Sequence, residues 1–353
     1  MNKFVKRYLI DAMSGMAQGL FASLLIGTII RTLGLQLVNV WNISPFQFLV
    51  TVGNFAMNAN VVGAAMAIGI GFAMKVDPLV LFSLAAVGSA ANVTGKAGGP
   101  LAVLFIAIIA AELGNLVSKK TKVDIIVTPL VTIISGCLLT VLFAEHLGLA
   151  ASSFGKIVMW ATTLHPFLMG IIVSAVVGIA LTLPISSAAI CSAFGLVGLA
   201  GGAAVAGCCA QMVGFAVMSY KENKTSGLLS QGLGTSMLQM PNIIKNPLIW
   251  IPPTLTSMIT GPIATCFFKL EMNGAPISSG MGTCGLVGPI GIITGWLEPS
   301  KEAIANNASS IVPGVFEWIG LISICFVLPA ILSFVFGNVF RKFGLIKDGD
   351  LTL

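Results

Sequence analysis

The chain has 353 residues, of which 56% are apolar and only 8% charged, and its formal net charge is +6. Water-soluble domains carry roughly 25% charged residues, so a soluble globular protein is excluded. The positive charge does not mark a nucleic-acid partner, because the basic residues lie in short segments between apolar runs and form no contiguous basic face.

The apolar runs, such as Pro129 to Ala144 and Phe167 to Leu183, approach the ~20 residues that a bilayer-crossing helix needs. Only helices and closed barrels satisfy their backbone in lipid, and these runs are continuous, not alternating. An all-α integral membrane protein is therefore expected. The basic start and the apolar segment Ala12 to Val38 read as an uncleaved first helix, in which Arg31 snorkels or faces protein. Further helices are expected near 47–74, 78–92, 100–118, 125–146, 157–182, 187–206, 207–220, 248–269 and 311–340. That gives about ten crossings in a multi-pass protein of the cell membrane. Clusters at Lys3, Lys6 and Arg7, at Lys119, Lys120 and Lys122, at Lys221 and Lys224, and at Arg341, Lys342 and Lys347 mark cytoplasmic segments and place both termini inside. Lys156, Lys269 and Lys301 fall outside, and Lys96 falls at a tip. Asn54 and Asn58 share a face of the second helix, with Asn60 close by, as hydrogen-bond glue between helices.

The seven cysteines lie in or beside apolar runs, without metal-ligand spacing, and read as small buried hydrophobes. With His146 and His165 the only histidines, no metal and no cofactor are expected.

Three stretches break the helical pattern: Asn92 to Pro100, Gly232 to Pro247 and Asn273 to Gly285, the last followed by apolar residues to Trp296. Each mixes Gly, Pro and small polar residues. Non-helical backbone at membrane depth survives only inside protein or along a wet cavity, and such interrupted segments point to a transporter's binding site. The candidates are Thr235, Ser236, Gln239, Asn242 and Lys245 in the second stretch and Ser278, Ser279 and Thr283 in the third. Ser186 and Ser187 follow Pro184, and Asn92, Thr94, Lys96 and His165 are further candidates. Each single hydroxyl has a local alternative, capping a helix or bonding a carbonyl one turn back. Lys245 has the alternative of an interface cation, and His165 that of an interfacial or capping residue. Glu112 and Glu317 lie near helix ends, and Glu298 begins a charged outer loop.

At these residues the sequence resembles the sugar-translocating EIIC subunit of the phosphotransferase system, above all its fructose-type branch. Phe167 to Ala189 resembles that branch's helix running into a Gly-Pro-x-Asn-Lys-Ala-Ala turn. Gly234 to Pro247 resembles its first hairpin, Ile-Thr-Glu-Gly-Ala-Ile-Pro-Phe ending in Asp-Pro. Ala275 to Gly280 resembles its Ala-Pro-His-Gly-Gly turn, and Asp124 to Leu130 is similar to another EIIC segment. The stand-alone length is similar to the group that includes PfoR-type regulators. The resemblance implies about ten transmembrane helices plus two re-entrant hairpins, near 232–247 and 273–296. Residues 1–150 would be a dimerisation scaffold and residues 151–353 a transport half that moves like an elevator. It implies a homodimer, a small polar, sugar-like solute and, for coupled phosphorylation, a separate EIIB-type phosphocarrier. Where the family's hairpin has its sugar-binding Glu this chain has Met237; its Asn-Lys is Ser186-Ser187, and its His is replaced at Ile277 or Ser278. The chain thus reads as a transporter and not an enzyme. The alternatives are a membrane sensor on the same scaffold and a phosphorylating permease.

Overall fold

A computed structural model of the protein describes residues 3–40 and 44–353. Among the described residues the fold is all-α, and the only β-type pairing is the single bridge between Gly198 and Met272. Among the described residues, five helical runs are long and apolar enough to cross a membrane, and a sixth counts if one bent pair is a single span. The chain divides into two compact units, Met1–Ala151 and Ser152–Leu353.

In the first unit α1 covers Lys3–Val38, and α2 (Ser44–Ala56) and α3 (Ala59–Ala73) meet at a bend of 56°. The bend falls at Asn58, whose side chain caps α3 by accepting the Asn60 amide at 2.9 Å. Asn60 in turn accepts the Ser89 hydroxyl of α4 (Pro78–Gly95) at 2.7 Å. The tie between helices is therefore made by Asn60, and Asn58 is spent on the cap. Lys96 adopts φ +49° after α4, and Pro100 opens α5 (Gly99–Val117), which packs back along α4. Glu112 on α5 pairs with Arg7 at 2.8 Å, which accounts for its charge. The long α6, Asp124–Ala161, leads into the second unit.

In the second unit the expected single helix at 157–182 is two. The chain turns at Thr162–His165, and Pro166 starts α7, Pro166–Thr182, where its missing N–H costs nothing. The expected pair at 187–206 and 207–220 is replaced by a short α8 (Ser187–Ala193), an extended link through Val197, and one continuous α9 (Gly198–Met218). The break lies at Gly195 and Gly198, with φ +59° and +66°.

Gly178 of α7 packs against the Gly207 carbonyl of α9, so closely that an added Cβ would lie 2.7 Å from that oxygen, and one turn further Thr182 meets Gln211. Both helices ascend together through these contacts, so they are parallel, and residues 183–197 return the chain between them. The absence of side chains at the crossing lets the backbones approach closely. Next come α10 (Tyr220–Leu229), the first hairpin with α11 (Met240–Lys245), and α12 (Ile251–Pro262). Helix α12 runs antiparallel to α7, since Gly261 faces Gly170 while Ser257 accepts from Ser174 at 2.7 Å. The second hairpin ends in α13 (Val287–Leu297), followed by α14 (Lys301–Ala305) and α15 (Val315–Lys342). Helix α9 lies at the centre, packed by α7, α12 and α15.

Candidate functional site

The first hairpin enters through a turn at Ser230–Gly234 and passes through extended Thr235, whose hydroxyl caps the next turn by accepting the Met237 amide at 3.1 Å. It leaves through Asn246, which caps Leu248 at 3.2 Å and leads into α12. Thr235 and Asn246 thus fix the two ends, and the residues between them present polar groups in two directions.

Ser236 points toward α7 and α9. Its hydroxyl lies 2.7 Å from that of Thr182, which donates to the Gln211 side-chain carbonyl at 3.3 Å. The same carbonyl accepts the Trp250 indole N–H at 3.0 Å, while the Gln211 amide donates to the Thr254 hydroxyl at 3.1 Å. Thr182, Gln211 and Ser236 are fully buried. One proton order satisfies the chain: Ser236 to Thr182, Thr182 to Gln211, Gln211 to Thr254, and Thr254 to the Trp250 carbonyl at 2.8 Å. Gln211 is the node, and the sequence pattern does not mark it, because it sits inside an unbroken apolar helix.

Gln239 and Asn242 point the other way. The Gln239 amide donates to Gln231 and to the Leu351 carbonyl, both at 2.9 Å. The Asn242 amide donates to Gln239 at 2.9 Å and to the Thr352 carbonyl at 2.8 Å. Lys245 is exposed and donates to Asn242 at 3.1 Å. The structure therefore brings Gln239, Asn242 and Lys245 together and separates them from Ser236 by the thickness of the hairpin.

The hydroxyls of the second hairpin bond mainly to backbone. Ser187 donates to the Gly280 carbonyl and Ser279 to the Leu196 carbonyl, each at 2.6 Å, which ties the 183–197 return segment to the hairpin. Ser186 caps α8 at 3.2 Å, Thr283 faces the Met212 sulfur at 3.6 Å, and Ser278 is buried beside Gly291. Asn92, Thr94 and Lys96 belong to the first unit; Asn92 donates to the Ala59 carbonyl at 2.8 Å and the other two are exposed. His165 is exposed at the start of α7 and makes no side-chain cap. Glu317 accepts the Gly314 amide at 2.8 Å, so its charge serves the start of α15.

At the other end of α12 lies an open cavity of about 540 Å³, lined by Phe268, Glu271, Asn273, Trp296, Asn307 and Glu317 among others. The helical residues Leu255 to Phe267 separate it from Thr254 of the Gln211 network, about 20 Å at 1.5 Å per residue. Carboxylates, carboxamides and aromatic faces in one concavity of this size suit a small polar ligand. No group of three or more metal-ligating side chains occurs among the described residues.

No curated protein sequence matches the chain. The profile of the family described as phosphotransferase system, EIIC, matches residues 10–353, nearly the whole length. An all-α membrane architecture, two interrupted hairpin segments and this match together make the chain a member of the phosphotransferase-system EIIC family, the membrane transport component of that system.

Proposed function

We propose that the protein translocates a small polar, sugar-like solute, and that the inner face of the first hairpin holds it. The observation that carries this reading is the network of Thr182, Gln211, Ser236, Trp250 and Thr254 at the point where a non-spanning segment meets three apolar helices. Polar groups at membrane depth are costly and mark solute pathways. The cavity at Glu271 and Trp296 is the approach from one side, and the first hairpin closes the other. Loop charge supports an outward-facing cavity, beside Lys269 and Lys301, and an inward-facing hairpin near Lys221, Arg341 and Lys347. Residues 152–353 would move as the carrier in an elevator-type cycle, with the first unit as the scaffold of a homodimer.

Met237, at the place of the family's sugar-binding Glu, is buried and apolar, which favours translocation without coupled phosphorylation. A phosphorylating permease would need a separate EIIB partner, and a sensor would need an output partner.

The test is the melting temperature of the purified protein against sugars, sugar acids and polyols. A ligand for the folded state stabilises it by ~2.7 kcal/mol at a hundred times its dissociation constant. A dose-dependent rise that is lost in Gln211→Ala and Ser236→Ala is expected. No rise with any of these solutes would overturn the reading.

A further inference from the structure

After α15 the chain turns at Gly344, φ +70°, and residues 345–353 fold back over α10 and the first hairpin. The recognition is of one chemical kind. Asn223 clamps the segment with both side-chain atoms, donating to the Leu351 carbonyl at 2.7 Å and accepting the Leu353 amide at 2.9 Å. Gln239 shares the Leu351 carbonyl and Asn242 takes that of Thr352, while Asn246 donates to the Leu345 carbonyl at 3.0 Å and to Asp350 at 2.8 Å. Carboxamides that mimic the peptide group read a main chain without regard to sequence, and buried side chains then set its register. Leu351 and Ile346 do so here, with exposures of 0% and 2%. Lys221 and Arg341 hold Asp348 at the rim.

We propose that α10 and the first hairpin form a peptide-reading groove, that residues 345–353 are its occupant, and that occupancy holds the hairpin in place. Both amide hydrogens of Gln239 and both of Asn242 are engaged, one of each by the segment. Releasing the segment frees two donors on the hairpin, and these require new acceptors. The hairpin that the segment pins on this face carries Ser236 of the proposed solute site on its other face, so release of the segment frees the hairpin that closes that site. That last step rests on the function proposed above, whereas the groove itself does not.

The experiment uses the full chain and two readouts that need no transport. Leu351→Asp places a charge in a site that excludes it, and hydrogen exchange at residues 239–246 should rise about tenfold. A labelled peptide with the sequence of residues 345–353, followed by fluorescence anisotropy, should bind this variant, bind the parent protein at least tenfold more weakly, and restore the slow exchange. Adding Asn223→Ala should weaken the peptide about tenfold again. Asp348→Lys, on an exposed side chain, repeats the exchange test without altering any buried residue. Unchanged exchange in both variants, or equal binding of a scrambled peptide, would overturn the groove. Exchange that responds in a protein no solute stabilises would leave the groove standing and defeat the transport reading. A stabilising solute with unresponsive exchange would do the reverse.

Discussion

The two hairpins carry similar mixtures of Gly, Pro, Ser and Thr, yet they are held by different means. In the second, the backbone does the holding: Gly282, Gly285 and Leu286 all have positive φ, and the ties to the 183–197 segment run through main-chain carbonyls, that of Gly280 to Ser187 and that of Leu196 to Ser279. In the first, no residue between Ser230 and Trp250 has positive φ, and side chains bond other side chains across three helices. A rigid knot of backbone suits a support. A network of re-pairable side chains suits a surface that must accept a ligand and let it go.

The contrast can be broken most forcefully at Gly282. Its φ of +51° strains any L side chain, and an added Cβ would meet the Cys208 Cβ at 2.7 Å. Gly282→Ala should cost about 3 kcal/mol or more, read as a large fall in melting temperature. Gln211→Ala strands Trp250 and Thr254 and should cost about 2 kcal/mol; unlike Gly282→Ala, it should also abolish solute-induced stabilisation. Ser279→Ala and Ser236→Ala form a matched pair. The first leaves the Leu196 carbonyl without its donor, costing about 1 kcal/mol, and keeps solute stabilisation intact. The second should cost less, because Thr182 retains Gln211, and should remove solute stabilisation. The opposite result for the pair would reverse the roles assigned to the two hairpins.

The smallest effect concerns the rim of the groove. The Lys221 ammonium, hydrogen-bonded to Asp348 and aided by Arg341, holds that exposed carboxyl below its ordinary value of 3.8. A depressed carboxylate contributes above its unfolded pKa and is lost as pH falls through its folded one. Protection of residues 345–353 against exchange, relative to the intrinsic rate at each pH, should therefore be flat across neutral pH and fall only in strong acid. Salt should loosen the segment slightly at neutral pH, since exposed pairs contribute little and are screened.

Much of the fold was legible because breaks in apolar runs carry chemistry. Pro100, Pro166 and Pro252 each stand at the start of a helix, where proline is favoured. The join at 206–207 misled because Ala206 and Gly207 look like a weak point in a run of small residues. That glycine serves a helix crossing inside an unbroken helix, and the real break lies at Gly195 and Gly198. Gln239, Asn242 and Ser236 were legible as a polar cluster but not as facing opposite ways, since a short helical turn hides direction from spacing. Gln211 was illegible because one amide in an apolar helix has no local signature, and its partners are 29 to 43 residues distant. Asn223 and Asn246, which hold residues 345–353 beside Asn242, were equally silent, since most of their partners are main-chain atoms any residue could supply.

Helix α9 has a consequence for how the chain is made. Protein covers 89% of its central window, against 22% for α6, and it is the least apolar of the five long runs. Glycine and alanine gain little from hydrocarbon, and Gln211 loses by entering it. Its residence in the bilayer is therefore conditional on company. The ribosome delivers α7 before it but α12 and α15 only later. The nascent chain is consequently most vulnerable to the cell's membrane quality control after Met218 has emerged and before α15 closes around it.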